Sequence, residues 1–509
     1  MRVVFISAEC EPWAKTGGLG DVVDSLARAI SSLGARPPDP DRIVAPQVWV
    51  GTGAVMGPPP EGLEGLIDKP VEVFLPRYRD TEVPKGATSS PLRVPDPTAP
   101  DGATMVNLVE FEADGYRVRL IDHPPAFDRE GYYGDDDGDY PDNGWRFGLL
   151  CRGAMEALLA DDRPLDLIHL HDWQSTPVAL MRDQMYAAYS KIHGAAIMLT
   201  IHNLAYQGWL SRDQMAGFAT ANEISRLVSR HADGILLLRE AIKRAELVNT
   251  VSPAYAAEVL TPEAGMGMEK VLAGLGHRFG GILNGLDVKV WNPATDSELA
   301  APYSKGRMNG KAECRRTLLA EMNLDPEDDG AVIGMIGRLD PQKGFDLLAA
   351  AAPDLLVEGA RIVALGTGDP RVMAELRKLA SQRQDRVAVV ERFDRALARR
   401  IYAGADLFLM PSRFEPCGQG QMIAMRYGTL PIARDTGGLH DTIDHQRTGF
   451  LFEHPTSESL LWATALAVDA YGGAAWQTMM AAAMREDFSW ERSAAHYDSV
   501  YRTVVASSP

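Results

Sequence analysis

Short runs of aliphatic and β-branched residues recur along the chain, separated by longer stretches in which apolar positions follow helical spacing. Val3-Val4-Phe5-Ile6 is the first such run, and residues 165–170, 197–201 and 247–251 repeat it. Apolar runs of this length without polar alternation read as strands buried on both faces, the pattern of a parallel sheet whose crossovers are helices. After Asn284-Gly285 the rhythm restarts at residues 332–336, 362–365, 387–390, 407–410 and 430–433. The pattern predicts an α/β protein of two domains with a boundary near residue 282. Two stretches break it. Residues 35–70 carry Pro37, Pro38, Pro40, Pro46 and Pro58-Pro59-Pro60 with little apolar periodicity, and read as a disordered surface insertion. Residues 84–103 look similar, with prolines and no clear pattern.

Composition narrows the class. A chain of 509 residues exceeds what one core ordinarily supports, in keeping with two domains. Its 46% hydrophobic and 24% charged content is that of a globular protein, and no apolar run reaches the roughly 18 residues of a membrane span. The first strand follows Met1 almost at once, which leaves no room for a leader peptide and suggests a cytoplasmic protein. Cys10, Cys151, Cys314 and Cys417 lie far apart, without the spacing of a zinc site or a disulfide framework. With 51 basic against 69 acidic residues the net charge is −18, which argues against a general nucleic-acid or membrane-surface binder. An anionic ligand would have to meet a local cationic pocket.

Candidate chemistry sits just beyond the strands. Lys15-Thr-Gly-Gly-Leu-Gly-Asp21 lies between the first strand and apolar positions Val22, Val23, Leu26, Ile30 and Leu33 at helical spacing, so it reads as a glycine turn opening a helix. Glycines there admit a phosphate or sugar close to the backbone, and Lys15 adds a charge. The spacing is not that of a dinucleotide fingerprint. His169-Leu-His171-Asp172-Trp173, His202-Asn203 and Ser252-Pro253 end strands of the first domain. Gly337-Arg338, Lys343-Gly344, Gly366-Thr-Gly-Asp-Pro370 and Pro411-Ser-Arg-Phe-Glu415-Pro-Cys-Gly418 do so in the second. Singly, each could be a helix cap or a surface charge. Together, at successive strand ends, they mark the place where open parallel sheets bind ligands. The acidic run Asp135-Asp-Asp-Gly-Asp139 lacks the ligand spacing of a calcium loop and reads as solvated.

These motifs resemble those of the bacterial glycogen synthase and plant starch synthase family, retaining glucosyltransferases of the GT-B architecture. The resemblance runs over most of residues 1–33 and 71–505. It is carried by the opening Lys-x-Gly-Gly-Leu-x-Asp, His171-Asp-Trp173, His202-Asn-Leu-Ala-Tyr-Gln-Gly208, Thr250-Val-Ser-Pro253, Asn284-Gly-Leu-Asp287, Arg338 with Lys343, and Ser412-Arg-Phe-Glu-Pro-Cys-Gly418. It implies two Rossmann-like doubly wound domains facing a central cleft, 1–282 and 283–489, with a last helix within 490–509 returning to the first domain. It implies transfer of glucose from ADP-glucose to the non-reducing end of an α-1,4-glucan such as glycogen or starch, with no metal and no other cofactor. By the same resemblance Asp172, His202, Arg338, Lys343 and Glu415 are the catalytic residues. Lys15, Gly17, Gly18, Asp21, Tyr133, Cys417 and Gly418 bind the donor. Two features depart from the family: the stretch at 35–70, and Gln419-Gly420 where the family has Leu-Thr, which removes a hydroxyl near the donor phosphates. Two other functions stay open on the sequence, a GT-B glucosyltransferase with a small acceptor that makes a maltose-phosphate or sucrose-type product, and a catalytically weak glucan-binding scaffold.

Overall fold

The computed structural model describes residues 1–34, 70–136, 138–217, 221–228, 234–357 and 359–507. The insertion expected at 35–70 lies, Pro70 aside, outside them. The chain forms two compact units, Met1–Gly285 with Trp490–Pro509, and Leu286–Ser489.

Among the described residues the first unit is built on a nine-stranded sheet: β1 (Val3–Ile6), β2 (Glu72–Pro76), β3 (Thr88–Pro95), β4 (Ala103–Ala113), β5 (Tyr116–Asp122), β6 (Leu167–His171), β7 (Ala196–Ile201), β8 (Leu247–Thr250) and β9 (Phe279–Gly281). Its order is β9-β8-β7-β6-β1-β2-β5-β4-β3. Every pairing from β9 to β5 is parallel, while β4 and β3 add an antiparallel edge. The parallel strands β1, β2, β6 and β7 are buried at every position, as their largely apolar sequences favour, and the polar Glu72, His169 and His171 within them are buried too. β3 occupies the stretch 84–103 that shows no pattern in the sequence. It is an edge strand, exposed over its first half and carrying Pro91 and Pro95, and an edge tolerates proline and needs no alternation.

Helix α1 (Gly18–Gly34) follows the glycine turn and buries Val22, Val23, Leu26 and Ile30. The C-terminal helix Trp490–Ser507 packs against α1 and β7, presenting Trp490, Ala494, Tyr497, Val500, Tyr501 and Val504 to the same apolar cluster. A chain of buried polar groups fixes it there. Tyr501 Oη lies 2.8 Å from His169 Nδ1, and His169 Nε2 lies 2.6 Å from Thr200 Oγ1. Thr200 donates to Asn249 Oδ1 at 2.7 Å, and Asn249 Nδ2 donates to Tyr497 Oη at 3.2 Å. All five side chains are buried, so each hydrogen bond replaces one to water that is no longer accessible.

The second unit has a six-stranded parallel sheet among its described residues: β10 (Val332–Ile336), β11 (Arg361–Leu365), β12 (Val387–Val390), β13 (Leu407–Met410), β14 (Leu430–Arg434) and β15 (Phe450–Phe452), in the order β12-β11-β10-β13-β14-β15. Where the chain enters and leaves this unit, Leu286 N donates to Phe488 O at 2.6 Å and Leu286 bridges Ser489. The unit boundary therefore falls at Gly285, against the expected 282.

Trp490 is 5% exposed at the start of the returning helix, in a cluster shared with α1. Trp490→Ala is expected to lower the stability of the first unit by about 3–5 kcal/mol, the cost of truncating a buried tryptophan. Urea unfolding followed by a first-unit probe checks this, and an unchanged midpoint would refute the docking role of the helix.

Candidate active site

In the parallel part of each sheet the strand order reverses at one point, and the loops leaving the carboxyl ends of the flanking strands diverge to leave a crevice. In the first unit that point lies between β1 and β6. The loop after β1 carries Lys15 and Gly17, the first turn of α1 carries Gly18 and Asp21, the β6 end carries Asp172, and the adjacent β7 end carries His202.

Glu9, which the sequence reading passed over, organises the β1 loop. It is 3% exposed, and its Oε2 accepts from the backbone N–H groups of Thr16 (2.7 Å) and Gly17 (3.2 Å). Its Oε1 accepts from Thr16 Oγ1 (2.7 Å) and Tyr133 Oη (2.5 Å). Tyr133 therefore spends its hydroxyl on bracing the loop, and the Gly17 N–H points to a carboxylate of the protein. A side-chain carbon at Gly17 or Gly18 would meet nothing within 4 Å, so the two glycines present a bare backbone face. Lys15 is also paired internally, with Glu11 Oε2 at 2.8 Å and Asp21 Oδ1 at 2.5 Å. Burial and the neighbouring Glu11 carboxyl push the Asp21 carboxyl up to about 7 despite Lys15. Glu9 and Glu11 have a legible signal in hindsight, two acidic residues directly after a buried first strand.

Asp172 adopts φ 56°, a left-handed conformation that a non-glycine residue holds only when its surroundings impose it. The turn aims its Oδ1 at the backbone N–H of His202, 2.7 Å away. Burial, with a smaller contribution from the charge of Glu9, pushes the Asp172 carboxyl up to about 7 against these backbone hydrogen bonds. The His202 ring is held in turn, its Nε2 lying 3.0 Å from Nδ1 of the fully buried His171. Burial lowers the His202 pKa to about 3 and keeps the ring neutral.

In the second unit the reversal lies between β10 and β13. The β10 loop supplies Arg338 and Lys343, and the β13 loop supplies Glu415, Cys417 and Gly418. Asp340 caps the short turn Pro341–Lys343, its carboxylate accepting from Lys343 N. Gly344 follows at φ 71°, and a side-chain carbon there would stand 2.2 Å from Pro411 O, so only glycine lets the two loops touch. Arg413 N donates to Gln342 O (2.8 Å), and Arg413 pairs with Asp346 (2.7 Å). Across this seam Lys343 Nζ lies 2.6 Å from Glu415 Oε2, which also accepts from Ser412 Oγ at 3.0 Å. Glu415 is buried, and its Oε1 has no partner among the described residues. Arg338 reaches outward, its side chain 63% exposed and 3.2 Å from Asp340. Cys417 is buried. Its carbonyl and that of Gly418 accept from Gln421 Nε2, which also donates to Thr442 Oγ1. Gln421, missed as a site residue, holds this turn beside the Gln419-Gly420 departure. Among the described residues no cluster of His, Cys, Asp and Glu has the form of a metal site.

Residues 2–37 and 44–274 match the family of the starch synthase catalytic domain, and residues 330–468 match glycosyl transferases group 1. Only residues 38–43 fall between the two parts of the first match, so most of the stretch 35–70 follows the family pattern. Glycogen synthase of Anaeromyxobacter dehalogenans strain 2CP-C is 36% identical over 99% of this chain and 100% of its own length. Glycogen synthase of Geotalea daltonii is 35% identical over 99% of each chain. Among solved structures, the catalytic domain of starch synthase IV from Arabidopsis thaliana bound to ADP and acarbose superposes with a TM-score of 0.83, at 32% identity and 99% coverage of both chains. Sucrose-phosphate synthase from Thermosynechococcus elongatus, at 19% identity and TM-score 0.58 over the full length of both, shares the fold. Two Rossmann-like units with charged side chains at both strand-order reversals define a glycosyltransferase of the GT-B fold. Within that class the chain belongs to the glycogen and starch synthase family.

The Asp172 carboxyl, raised from 3.8 to about 7, gives the site a pH signature. The folded state binds a proton that the unfolded chain has released, so this contribution is complete below about pH 4 and is lost as pH rises through about 7. Between about pH 5 and pH 7.5 the parent protein should lose on the order of 2–3 kcal/mol relative to Asp172→Asn. Urea midpoints of the two proteins at both pH values measure the difference. Parallel pH dependence would show that Asp172 is ionised throughout.

Proposed function

We propose that the protein transfers glucose from ADP-glucose to the non-reducing 4-hydroxyl of an α-1,4-glucan, with retention at the anomeric carbon and without a metal, in the cytoplasm. The observation that carries this reading is the Lys343–Glu415 pair with Arg338 beside it, at the strand-order reversal of the second unit. Full-length likeness to glycogen synthases supports the acceptor class, and the ADP and acarbose held by the Arabidopsis relative support a nucleotide donor and a glucan-like acceptor. The four cysteines, buried and free of disulfides, accord with a reducing compartment.

As the bond between sugar and phosphate breaks, negative charge collects on the departing diphosphate and positive charge on the anomeric carbon. Arg338 and Lys343 neutralise the first, the role a divalent ion takes in other phosphate chemistry. Lys343 is set before the reaction by Glu415, whereas the exposed Arg338 folds onto phosphate oxygens when the donor binds. Glu415 Oε1 accepts a glucosyl hydroxyl while Oε2 holds Lys343, so one carboxylate ties sugar to diphosphate. The acceptor 4-hydroxyl attacks from the face the diphosphate leaves and passes its proton to the phosphate oxygen that departs as the bond from that oxygen to the anomeric carbon breaks, which gives retention without Glu415 forming a covalent bond.

On the first unit, Asp172 and His202 face the sugar. Lys15 is already shared between Glu11 and Asp21, so it meets a phosphate by exchanging one of those carboxylates. Protonation of Asp21 would make that exchange easier. The backbone face of Gly17 and Gly18 admits the donor closely.

Arg338→Ala and Lys343→Ala are each expected to lower kcat at least about 100-fold, the scale for removing one preorganised electrostatic partner, with unfolding transitions unchanged. Steady-state transfer from labelled ADP-glucose to glycogen measures this, and near-normal turnover in either variant would overturn the diphosphate assignment. Activity should persist in excess EDTA, with kcat/KM higher for ADP-glucose than for UDP-glucose. Strict dependence on an added divalent ion would refute the metal-free mechanism, whereas a preference for UDP-glucose would overturn only the donor assignment.

A further inference from the structure

Three imidazoles run from the buried end of the first unit to its ligand face. His169 and His171 are fully buried, their ring centroids 4.1 Å apart, and His171 meets His202 at 5.3 Å. Phe5 packs on both inner rings, with centroid distances of 5.0 Å. The hydrogen bonds around His169 determine its tautomer. The one hydroxyl proton of Thr200 goes to Asn249 Oδ1, so His169 Nε2 carries the proton shared with Thr200, and its bare Nδ1 accepts from Tyr501.

His171 and His202 share a single hydrogen bond, His171 Nδ1 to His202 Nε2 at 3.0 Å. Both rings are neutral, because burial drives His171 well below the ordinary histidine range and His202 to about 3. One of the two nitrogens donates, and His171 Nε2 decides which. It is buried without a partner. Were His202 the donor, His171 would carry its proton on Nε2 and bury an N–H with no acceptor. Were His171 the donor, the orphan is a bare lone pair, the less costly of the two.

We infer that His171 donates from Nδ1 and thereby fixes His202 as the Nδ1–H tautomer, so that His202 presents an N–H donor, and not a base, to the glucosyl ligand. His202 Nδ1 has no partner among the described residues, and its ring is half-buried, with the outer nitrogen left for ligand. Free imidazole side chains favour the opposite tautomer, so this state is imposed by the fold. The matching ligand atom is a hydrogen-bond acceptor, a sugar hydroxyl or phosphate oxygen. His171 is then a positioning residue. This inference rests on the proposed function for the identity of the ligand, but the tautomer itself does not.

The test is long-range ¹H–¹⁵N correlation NMR on the full chain labelled at its histidine rings, without substrate, with resonances assigned by their loss in His202→Gln and His171→Asn. Both His171 and His202 are expected to show a protonated Nδ1 and a bare Nε2, unchanged between about pH 6 and pH 8. A protonated Nε2 on His202 would overturn the inference whatever the enzyme transfers. In His171→Leu, His202 should revert toward the Nε2–H form, with kcat falling about 10- to 100-fold, the cost of a misplaced catalytic contact. His171→Asn, whose amide N–H can replace Nδ1–H, should recover kcat to within a few-fold. Equal loss of kcat in both variants, with the Nδ1–H signature retained, would show a packing role alone and refute positioning by the hydrogen bond. Normal tautomers in a protein that fails to elongate glycogen would instead count against the proposed function.

Discussion

Strand-order reversal in a parallel sheet is the constraint on which the rest of this structure depends. Every strand of such a sheet ends on the same side, and its crossover helix carries the chain away to one face or the other. Only where neighbouring crossovers leave on opposite faces does the edge stay uncovered. The first unit has that gap between β1 and β6, the second between β10 and β13. Side chains at those ends are held by rigid strands yet face outward, the combination that precise chemistry on a loop requires.

Both half-sites are electrostatically closed within themselves. Glu9 takes the backbone donors of the glycine turn, Glu11 and Asp21 take Lys15, and Glu415 takes Lys343. In a chain of net charge −18 an exposed unpaired cation would find an acidic partner in many ways. Pairing each with a specific carboxylate sets one geometry, and the ligand then replaces a known contact. Arg338 is the exception, more than half exposed and loosely held by Asp340. Its long side chain serves best where a group must move onto a phosphate.

The helix that returns from the second unit is more than packing. Its tyrosines complete the hydrogen bonds of His169 and Asn249, which Thr200 links, and the strands carrying His169, Asn249 and Thr200 lead into Asp172, Ser252 and His202 respectively. The ligand face of the first unit is thus braced from behind by residues near the end of the chain.

The sequence by itself determined most of the parallel strands, since buried parallel strands are mainly apolar runs and their ends carry the reactive side chains. Runs at 165–170, 197–201, 332–336 and 407–410 correspond to β6, β7, β10 and β13 within about two residues. It also determined the family, because motifs at successive strand ends are local. It did not reveal β3, whose exposed edge position imposes no pattern, nor the bracing by Glu9, Gln421 and His171. Those depend on Tyr133, Thr442 and His202, which lie 124, 21 and 31 residues away in the chain and come within hydrogen-bond reach only through the tertiary fold. The left-handed turn at Asp172 and the orphan nitrogen of His171 likewise have no local signature. Each exists because burial removes water from a polar group and leaves the surrounding fold to decide what replaces it.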